Sequence, residues 1–162
     1  MLNMYLDALE FLEEERDGWA PFERLSELTD DQLAVDVEAA HGWSGRDLMA
    51  HLLAWQSLAL KAATELAVDD ASASIARADA DWEARGGEAI NAELTAAWAE
   101  RSMDDLRSTF ASLPGELRGT LTVVPEARWL KHADRLRWFT DETIDHYREH
   151  LGDLEAILET AR

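Results

Sequence analysis

Two histidines late in the chain have a spacing that suits metal coordination. His146 and His150, in the segment DHYREH, lie four residues apart. On a helix, side chains at this spacing project from one face, with Cβ atoms roughly 5 to 6 Å apart. The pair therefore predicts two ligands of one metal ion. Because such a pair also arises by chance, it indicates a metal only together with further ligands.

A third histidine, His51, occupies a core-facing position of another predicted helix. A buried imidazole needs partners for its polar nitrogens, or it pays a desolvation cost. His51 is therefore either a hydrogen-bonded core residue or a third ligand beside His146 and His150. Three imidazoles from two helices would leave coordination positions open, as in a catalytic Zn²⁺ centre, and Ni²⁺ or Fe²⁺ would also fit.

Other chemical templates are poorly supported. The chain has no cysteine, which excludes disulfides, thiolate ligands and a protein thiol nucleophile. HExxH is absent, and of the two Glu-x-x-His motifs of a di-iron bundle only Glu38 to His41 is present, just before a Gly-Trp loop. His41 and His132 are predicted to lie in loops. No nucleophile-elbow pattern supports a Ser-His-Asp arrangement, and no phosphate-binding loop follows a strand.

The elements that must position these histidines are predicted to be helices. Apolar residues recur at three-to-four spacing from Leu2 to Leu28, and the phase continues across Pro21, which favours one kinked helix. Residues 29–43 are predicted to form a loop. Ser44 and Asp47 then resemble a capping box that begins the second helix. Its apolar stripe runs Leu48, His51, Leu52, Trp55, Leu58, Ala62 and Leu66.

Between the second and third helices the pattern weakens. Residues 68–87 are rich in Asp, Ala and Ser and are predicted to form a long connection, with short helical pieces at most. A third helical region begins near Glu88 and bends or restarts at Ser102. Its apolar phase then continues through Pro114, as it does across the earlier proline.

The last helix is predicted to begin at Thr140, after a connection that follows Pro125 and contains the only locally basic part of the chain. Asp141 and Glu142 would occupy its first turn, where the helix dipole favours negative charge. No segment has the two-residue period of a strand. We therefore expect an all-α four-helix bundle with a long connection between helices 2 and 3, in a single domain over residues 1–162.

Composition narrows the partners. Thirty-four acidic residues stand against fifteen Lys and Arg, which gives a formal net charge of −19. This charge would repel a phosphate backbone or an anionic membrane, so nucleic acid is an unfavourable partner. No window approaches the roughly 18 apolar residues of a membrane span, and the first residues do not resemble a secretory signal. We expect a soluble, cytoplasmic protein.

Two segments resemble a known superfamily. HGWSGRDLMAHLLAWQ is similar to the Gly-Trp-Ser, Asp-Leu, His-Leu, Ala-Trp signature of the DinB-like superfamily, and TIDHYREHLGDLEAIL resembles its closing helix. A weaker similarity, in EAINAELTAAWAERSMDDL, connects them. The resemblance implies a DinB-like four-helix bundle in which a divalent metal, with Zn²⁺ first and Ni²⁺ or Fe²⁺ next, is bound by His51, His146 and His150.

The resemblance also implies a class of chemistry. Members of the superfamily include metal-dependent transferases and isomerases that use a low-molecular-weight thiol such as mycothiol, bacillithiol or glutathione, and relatives often form homodimers. Gln56 departs from the pattern, since many relatives carry Glu there, so an acid/base role at this position loses support. Asp47, Asp145 and Glu149 lie nearby in sequence, but the pattern does not identify any of them as a catalytic base.

Two function classes remain open from the sequence. In the first, the protein is an enzyme in which the metal activates a thiol or water to attack a small electrophile, giving S-transfer, isomerisation or detoxifying hydrolysis. Trp55 would then help to wall the substrate cavity. In the second, the protein is a helical bundle that binds metal or ligand without turnover.

Overall fold

The computed structural model describes residues 5–162, and this part of the chain is almost entirely helical. Its α-helices are α1 (Ala8–Trp19), α2 (Asp30–Leu33), α3 (Gly45–Val68), α4 (Ala73–Arg85), α5 (Gly87–Ala99), α6 (Met103–Val123), α7 (Ala133–Glu142), α8 (Ile144–Glu149) and α9 (Leu151–Thr160). Three 3₁₀ helices span Ala20–Glu27, Glu38–Ala40 and Glu126–Arg128. Over the described residues the extended backbone pairs only at one isolated bridge, Val37 with Trp43. The prediction of an all-α bundle is confirmed.

Helix α3 is the central element of the bundle. It packs mainly against α6 and α5, while α1 packs against α8 and α6, and α9 closes against α3. The predicted capping box at its start is present, because Ser44 Oγ accepts from the Asp47 amide at 3.1 Å and the Ser44 amide donates to Asp47 Oδ2 at 3.0 Å. A Cβ atom at Gly45 would lie 2.7 Å from Leu33 Cδ2, so a larger residue at this position would require the buried Leu33 side chain to move.

Two apolar clusters fill the bundle. In the first, the centroid of the Trp19 ring lies 5.0 Å from the ring centroid of Phe110 and 5.3 Å from that of Tyr147. In the second, Trp129 is fully buried and contacts Phe11 and Phe139 edge to face. Edge-to-face aromatic pairs add to the free energy gained by burying the rings. The two clusters fix α1, α3 and the carboxyl-terminal helices relative to one another.

The first predicted helix differs from the structure at Pro21. Helix α1 ends at Trp19, and the chain continues as a 3₁₀ helix with the proline at its beginning. Pro21 has no N–H group for an i−4 bond and weakens the α-helix at this point, where the chain changes to 3₁₀ geometry. Helix α6, in contrast, continues through Pro114, as the apolar phase predicted. Phe22 and Leu25 remain buried, which explains why the apolar spacing continued. The prediction of one kinked α-helix is wrong, and Leu2, which began that stripe, lies outside the described residues.

The long predicted connection is also helical. Residues 73–85 form α4, which begins at Ser72, whose Oγ accepts from the Ile75 amide at 3.1 Å. Only Ser74 of this helix is fully buried, so α4 lies on the outside of the bundle and lacks a strong apolar stripe. The predicted loop 29–43 likewise contains α2 and a 3₁₀ helix.

The carboxyl-terminal region is divided differently from the prediction. Thr140 does not cap a helix; it lies inside α7, and its hydroxyl donates to the Leu136 carbonyl at 2.7 Å. His132, which was predicted to lie in a loop, is the N-cap of α7, and its side chain accepts from the Arg135 amide. Asp141 and Glu142 therefore occupy the last turn of α7 rather than the first turn of a helix. Over residues 5–162, no helix combines the length and the apolar character needed to cross a bilayer.

Candidate metal centre

The structure brings His51, His146 and His150 together. One ring nitrogen of each lies within 4.8 Å of those of the other two, and each pair of ring centroids is 4.8 Å apart. His51 comes from the first third of α3, His146 from α8, and His150 from the junction of α8 and α9. The three positions named from the sequence thus converge on one place in the bundle.

Hydrogen bonds orient two of the three imidazoles. Thr95 Oγ1, from α5, lies 3.1 Å from His51 Nδ1, and Asp153 Oδ2, one turn after His150, lies 2.9 Å from His150 Nδ1. Since the carboxylate only accepts, His150 donates its Nδ1 proton and keeps the lone pair on Nε2. Second partners of this kind fix the tautomer and orientation of histidines that bind metals.

The donor set fits a divalent transition metal. His51 Nε2 and His146 Nε2 face each other at 2.9 Å, and within the described residues His146 Nδ1 is buried without a hydrogen-bond partner. Burial, with the neighbouring histidine charges, lowers the pKa of His51 to about 4 and that of His146 to about 2. Both rings are therefore neutral near pH 7, which leaves each with a lone pair for coordination.

A cavity of about 890 Å³ opens beside the three histidines. Tryptophans form much of its apolar wall: Trp43 stacks on His150 with centroids 5.5 Å apart, and Trp55 lies 6.2 Å from His146. Trp55 Nε1 donates to Asn91 Oδ1 at 2.7 Å, which fixes the indole. Helix α4, which sequence patterns missed, supplies the outer wall with Trp82, Asp79 and Asp81. The volume is that of a small-molecule site.

Carboxylates from three helices, α4, α7 and α8, line the same cavity. Burial and the charges of Asp141, Asp79 and Glu149 raise the pKa of Glu142 to about 8. The pKa of Asp141 is also raised, first by burial and then by Asp145. Glu142 and Asp141 end α7, where the helix dipole disfavours negative charge. Among the carboxylates that line the cavity, only Glu149 was named from the sequence as lying near the histidines, and the sequence did not identify it as a base.

The remaining candidates take structural roles. Gln56 is buried outside the cavity wall, and its amide donates to the Tyr147 hydroxyl at 2.9 Å. Asp47 caps α3, and Asp145 pairs with Arg148 at 3.3 Å. His41, outside the three-histidine cluster, lies with Nδ1 2.8 Å from Asp153 Oδ1.

Sequence reasoning missed two supporting residues, Thr95 and Asp153. The spacing of Asp153, three residues after His150, places both on one helical face and was a usable signal. Thr95 lies 44 residues from His51 along the chain, and nothing local in the sequence connects the two. Long-range partners of this kind become visible only when α5 is packed against α3.

The all-α bundle is that of a DinB-like domain. Residues 13–147 match the family described as mycothiol maleylpyruvate isomerase N-terminal domain. This match covers most of the chain, so the protein belongs to that family. The matched segment includes His51 and His146 and ends before His150. No curated protein and no solved structure matches the chain significantly.

Proposed function

We propose that the protein binds one divalent transition metal ion, Zn²⁺ in the first instance, through His51, His146 and His150 and acts with a low-molecular-weight thiol on a small electrophile. The observation that carries the proposal is the convergence of three imidazoles at one end of a cavity of about 890 Å³. The family, named for a mycothiol-dependent isomerase, supports the thiol as cosubstrate. The reaction would be an S-transfer or an isomerisation.

A metal held by these residues would supply a Lewis acid that lowers the pKa of a bound thiol or water. The chain itself has no cysteine, so a sulfur nucleophile at this site would come from a cosubstrate. Thr95 and Asp153 contact the Nδ1 atoms of His51 and His150, so the Nε2 atom of each ring lies on the side away from these partners. Only three histidines form the cluster within the described residues, which leaves room for an exogenous ligand.

The tryptophan walls contribute binding and exclusion of water. Trp43 and Trp55 flank His150 and His146, and both rings are held by neighbouring groups. Water excluded from this region would compete less with a thiol for the metal and would leave electrostatic interactions unscreened. The superfamily resemblance also leads us to expect a cytoplasmic homodimer, which light scattering at tens of micromolar would test.

The test begins with metal content. After reconstitution with Zn²⁺, Ni²⁺ or Fe²⁺ in separate samples, elemental analysis should find about one ion per chain in the unchanged protein and much less in His51→Ala and His146→Ala. His132→Ala is the matched control, since it removes an imidazole outside the cluster. Unchanged metal content in the two cluster variants would contradict the metal assignment.

The thiol is tested separately. Mycothiol titrated into the Co²⁺-substituted protein should change the visible spectrum, since a thiolate ligand alters the coordination sphere. Consumption of mycothiol with a panel of electrophiles then reports turnover. A spectral change without turnover would support a binding protein rather than an enzyme. Metal binding with neither response would remove the thiol-dependent reaction and leave hydrolysis or non-catalytic metal binding.

A further inference from the structure

The cavity beside the histidines has a charge that does not match a dicarboxylate substrate. Five acidic side chains line it: Asp79, Asp81, Asp141, Glu142 and Glu149. Two basic side chains, Lys61 and Arg77, also line it, and they lie at exposed positions, as do Asp79, Asp141 and Glu149. A dianion entering this space would meet repulsion from the net excess of carboxylates.

The close approach of these acidic groups disfavours the ionised form of Glu142 in the folded protein. Glu142 makes no hydrogen bond or ion pair over residues 5–162, and its three acidic neighbours act on it in the same direction as burial. Its position in the last turn of α7 adds the unfavourable interaction with the helix dipole, and no basic residue lies in that turn. Such an unbalanced group of like charges is a common feature of functional sites.

Aromatic rings lie on the same cavity. Trp55 and Trp82 meet edge to face at 6.0 Å, and Trp138 precedes the acidic turn of α7. Trp82 is half exposed, and its ring packs where a Cβ atom on Gly87 would lie, 2.5 Å away. Indole faces beside carboxylates are the combination that binds organic cations, through cation–π attraction and charge pairing.

A second, independent observation points to a ligand. His146 lines the cavity, is only 9% exposed, and has one buried ring nitrogen without a partner among the described residues. The site therefore combines an unsatisfied polar group at its inner end with aromatic walls and an acidic side.

We infer that the substrate of this cavity carries a cationic nitrogen, such as an ammonium or quaternary ammonium group, which lies against Asp141, Glu142 and the tryptophan walls. The inference rests on the proposed function, since it names the class of electrophile for the same site. The reactive part of the molecule would face the histidines, and the cation would face α7. A carboxylate-rich substrate is disfavoured by the same groups.

The test uses three aromatic probes that differ in charge: benzyltrimethylammonium, benzyl alcohol and phenylmethanesulfonate. The quaternary ammonium cannot coordinate a metal or lose a proton, so its binding reports the wall of the cavity alone. Calorimetric titration at low ionic strength and about pH 9, above the Glu142 pKa of about 8, is carried out on the full chain with EDTA and again after metal loading. We expect the cation to bind at least about tenfold more tightly than the other probes in the metal-free protein.

Matched variants separate the cavity from the overall negative charge. The double variant Asp141→Asn, Glu142→Gln should weaken binding of benzyltrimethylammonium by about tenfold or more. Asp104→Asn, Glu155→Gln removes the same two charges at exposed positions outside the cavity and should leave the affinity within about twofold. Because the cavity double variant removes like-charge repulsion, it should fold.

Three results would overturn the inference: the sulfonate binding as tightly as the cation, no binding of the cation, or equal losses in the two double variants. The metal-free arm makes the test independent of the metal proposal. If elemental analysis finds no metal bound by the histidines and the cation still binds through α7, only the proposed function is contradicted. If metal binds and the cation does not, only the substrate class is lost.

Discussion

The carboxylate of Asp153 accepts from the Nδ1–H group of His150 at 2.9 Å, and its other oxygen lies 2.8 Å from His41 Nδ1. Asp153 is only 5% exposed, while the side chain of His41 is 80% exposed. One buried carboxylate therefore connects the candidate metal centre with the surface of the bundle. Its main effect is to hold one tautomer and one orientation of the His150 ring.

Replacement of Asp153 is expected to weaken metal binding without removing a ligand. Asp153→Asn loses the carboxylate that accepts from His150 Nδ1 and orients the ring, so metal affinity should fall by roughly tenfold to a hundredfold. Competition with a chromogenic chelator measures the affinity. Glu155→Gln, an exposed change of equal charge on α9, should leave the affinity unchanged. Equal affinities of Asp153→Asn and the unchanged protein would show that Asp153 does not position the ligand.

The pKa of Glu142 predicts an unusual dependence of stability on pH. Because its folded-state pKa is raised to about 8 from the ordinary value of 4.5, the folded protein holds this proton more tightly than the unfolded chain. The resulting contribution to stability is fully present below about pH 4.5 and is lost as the pH rises towards 8.

Glu142→Gln cannot ionise, so it should raise the free energy of unfolding relative to the unchanged protein more at pH 8 than at pH 5. The expected difference is on the order of 2 kcal/mol, after allowance for partial exposure to solvent. Urea denaturation at the two pH values measures it. Glu155→Gln should show no such difference. A Glu142→Gln effect that is independent of pH would mean that Glu142 ionises normally in the folded protein.

A buried chain of polar groups predicts a second stability effect. Gln56 donates to the Tyr147 hydroxyl at 2.9 Å, and this hydroxyl donates to Glu15 Oε1 at 3.0 Å. Arg118 lies on the other side of Glu15, with Nε 2.5 Å from Oε2. Burial raises the pKa of Glu15, while Arg118 and Tyr147 oppose the shift. Arg118 and Tyr147 therefore offset part of the cost of burying the Glu15 carboxylate.

Tyr147→Phe should lower the free energy of unfolding by about 1–3 kcal/mol, because it leaves the Gln56 amide and one Glu15 oxygen without their partner. Thermal and urea denaturation measure the loss. The double variant Gln56→Leu, Tyr147→Phe should cost less than the sum of the two single changes, since it removes both ends of one hydrogen bond. Strict additivity would show that the bond contributes nothing to stability.

The sequence predicted the parts of the fold that depend on local patterns. The capping box of Ser44 and Asp47 fixed the start of α3, and the apolar stripe of α3 placed His51 towards the interior, as found. Helix α4 was missed because an outer helix buries little and carries no strong apolar period. Thr140 was misplaced as a cap because Ser, Thr and Asp suit both caps and ordinary turns, and the actual cap of α7 is His132.

The candidate site divides in the same way. The spacing of His146 and His150 predicted their shared face, and superfamily resemblance added His51 from a distant helix. The acidic turn at Asp141 and Glu142 was interpreted as favourable for a helix start, whereas it ends α7 and faces the cavity. Whether these two acids begin or end a helix depends on the helix boundary at the next residue, Thr143, and the local sequence does not indicate that boundary.

Metal binding should also stabilise the fold, since the three imidazoles converge only in the folded chain. A ligand present at about a hundred times its dissociation constant stabilises the folded state by roughly 2.7 kcal/mol, which corresponds to a rise in Tm of several degrees for a chain of this length.

Scanning calorimetry with Zn²⁺ and with EDTA should show this rise in the unchanged protein. His146→Ala should abolish it, although removal of a buried ring with an unpartnered nitrogen need not lower the Tm of the metal-free protein by much. His132→Ala should retain the full rise. An equal rise in His146→Ala would place the stabilising ion elsewhere on this acidic surface, and the three-histidine centre would lose its support.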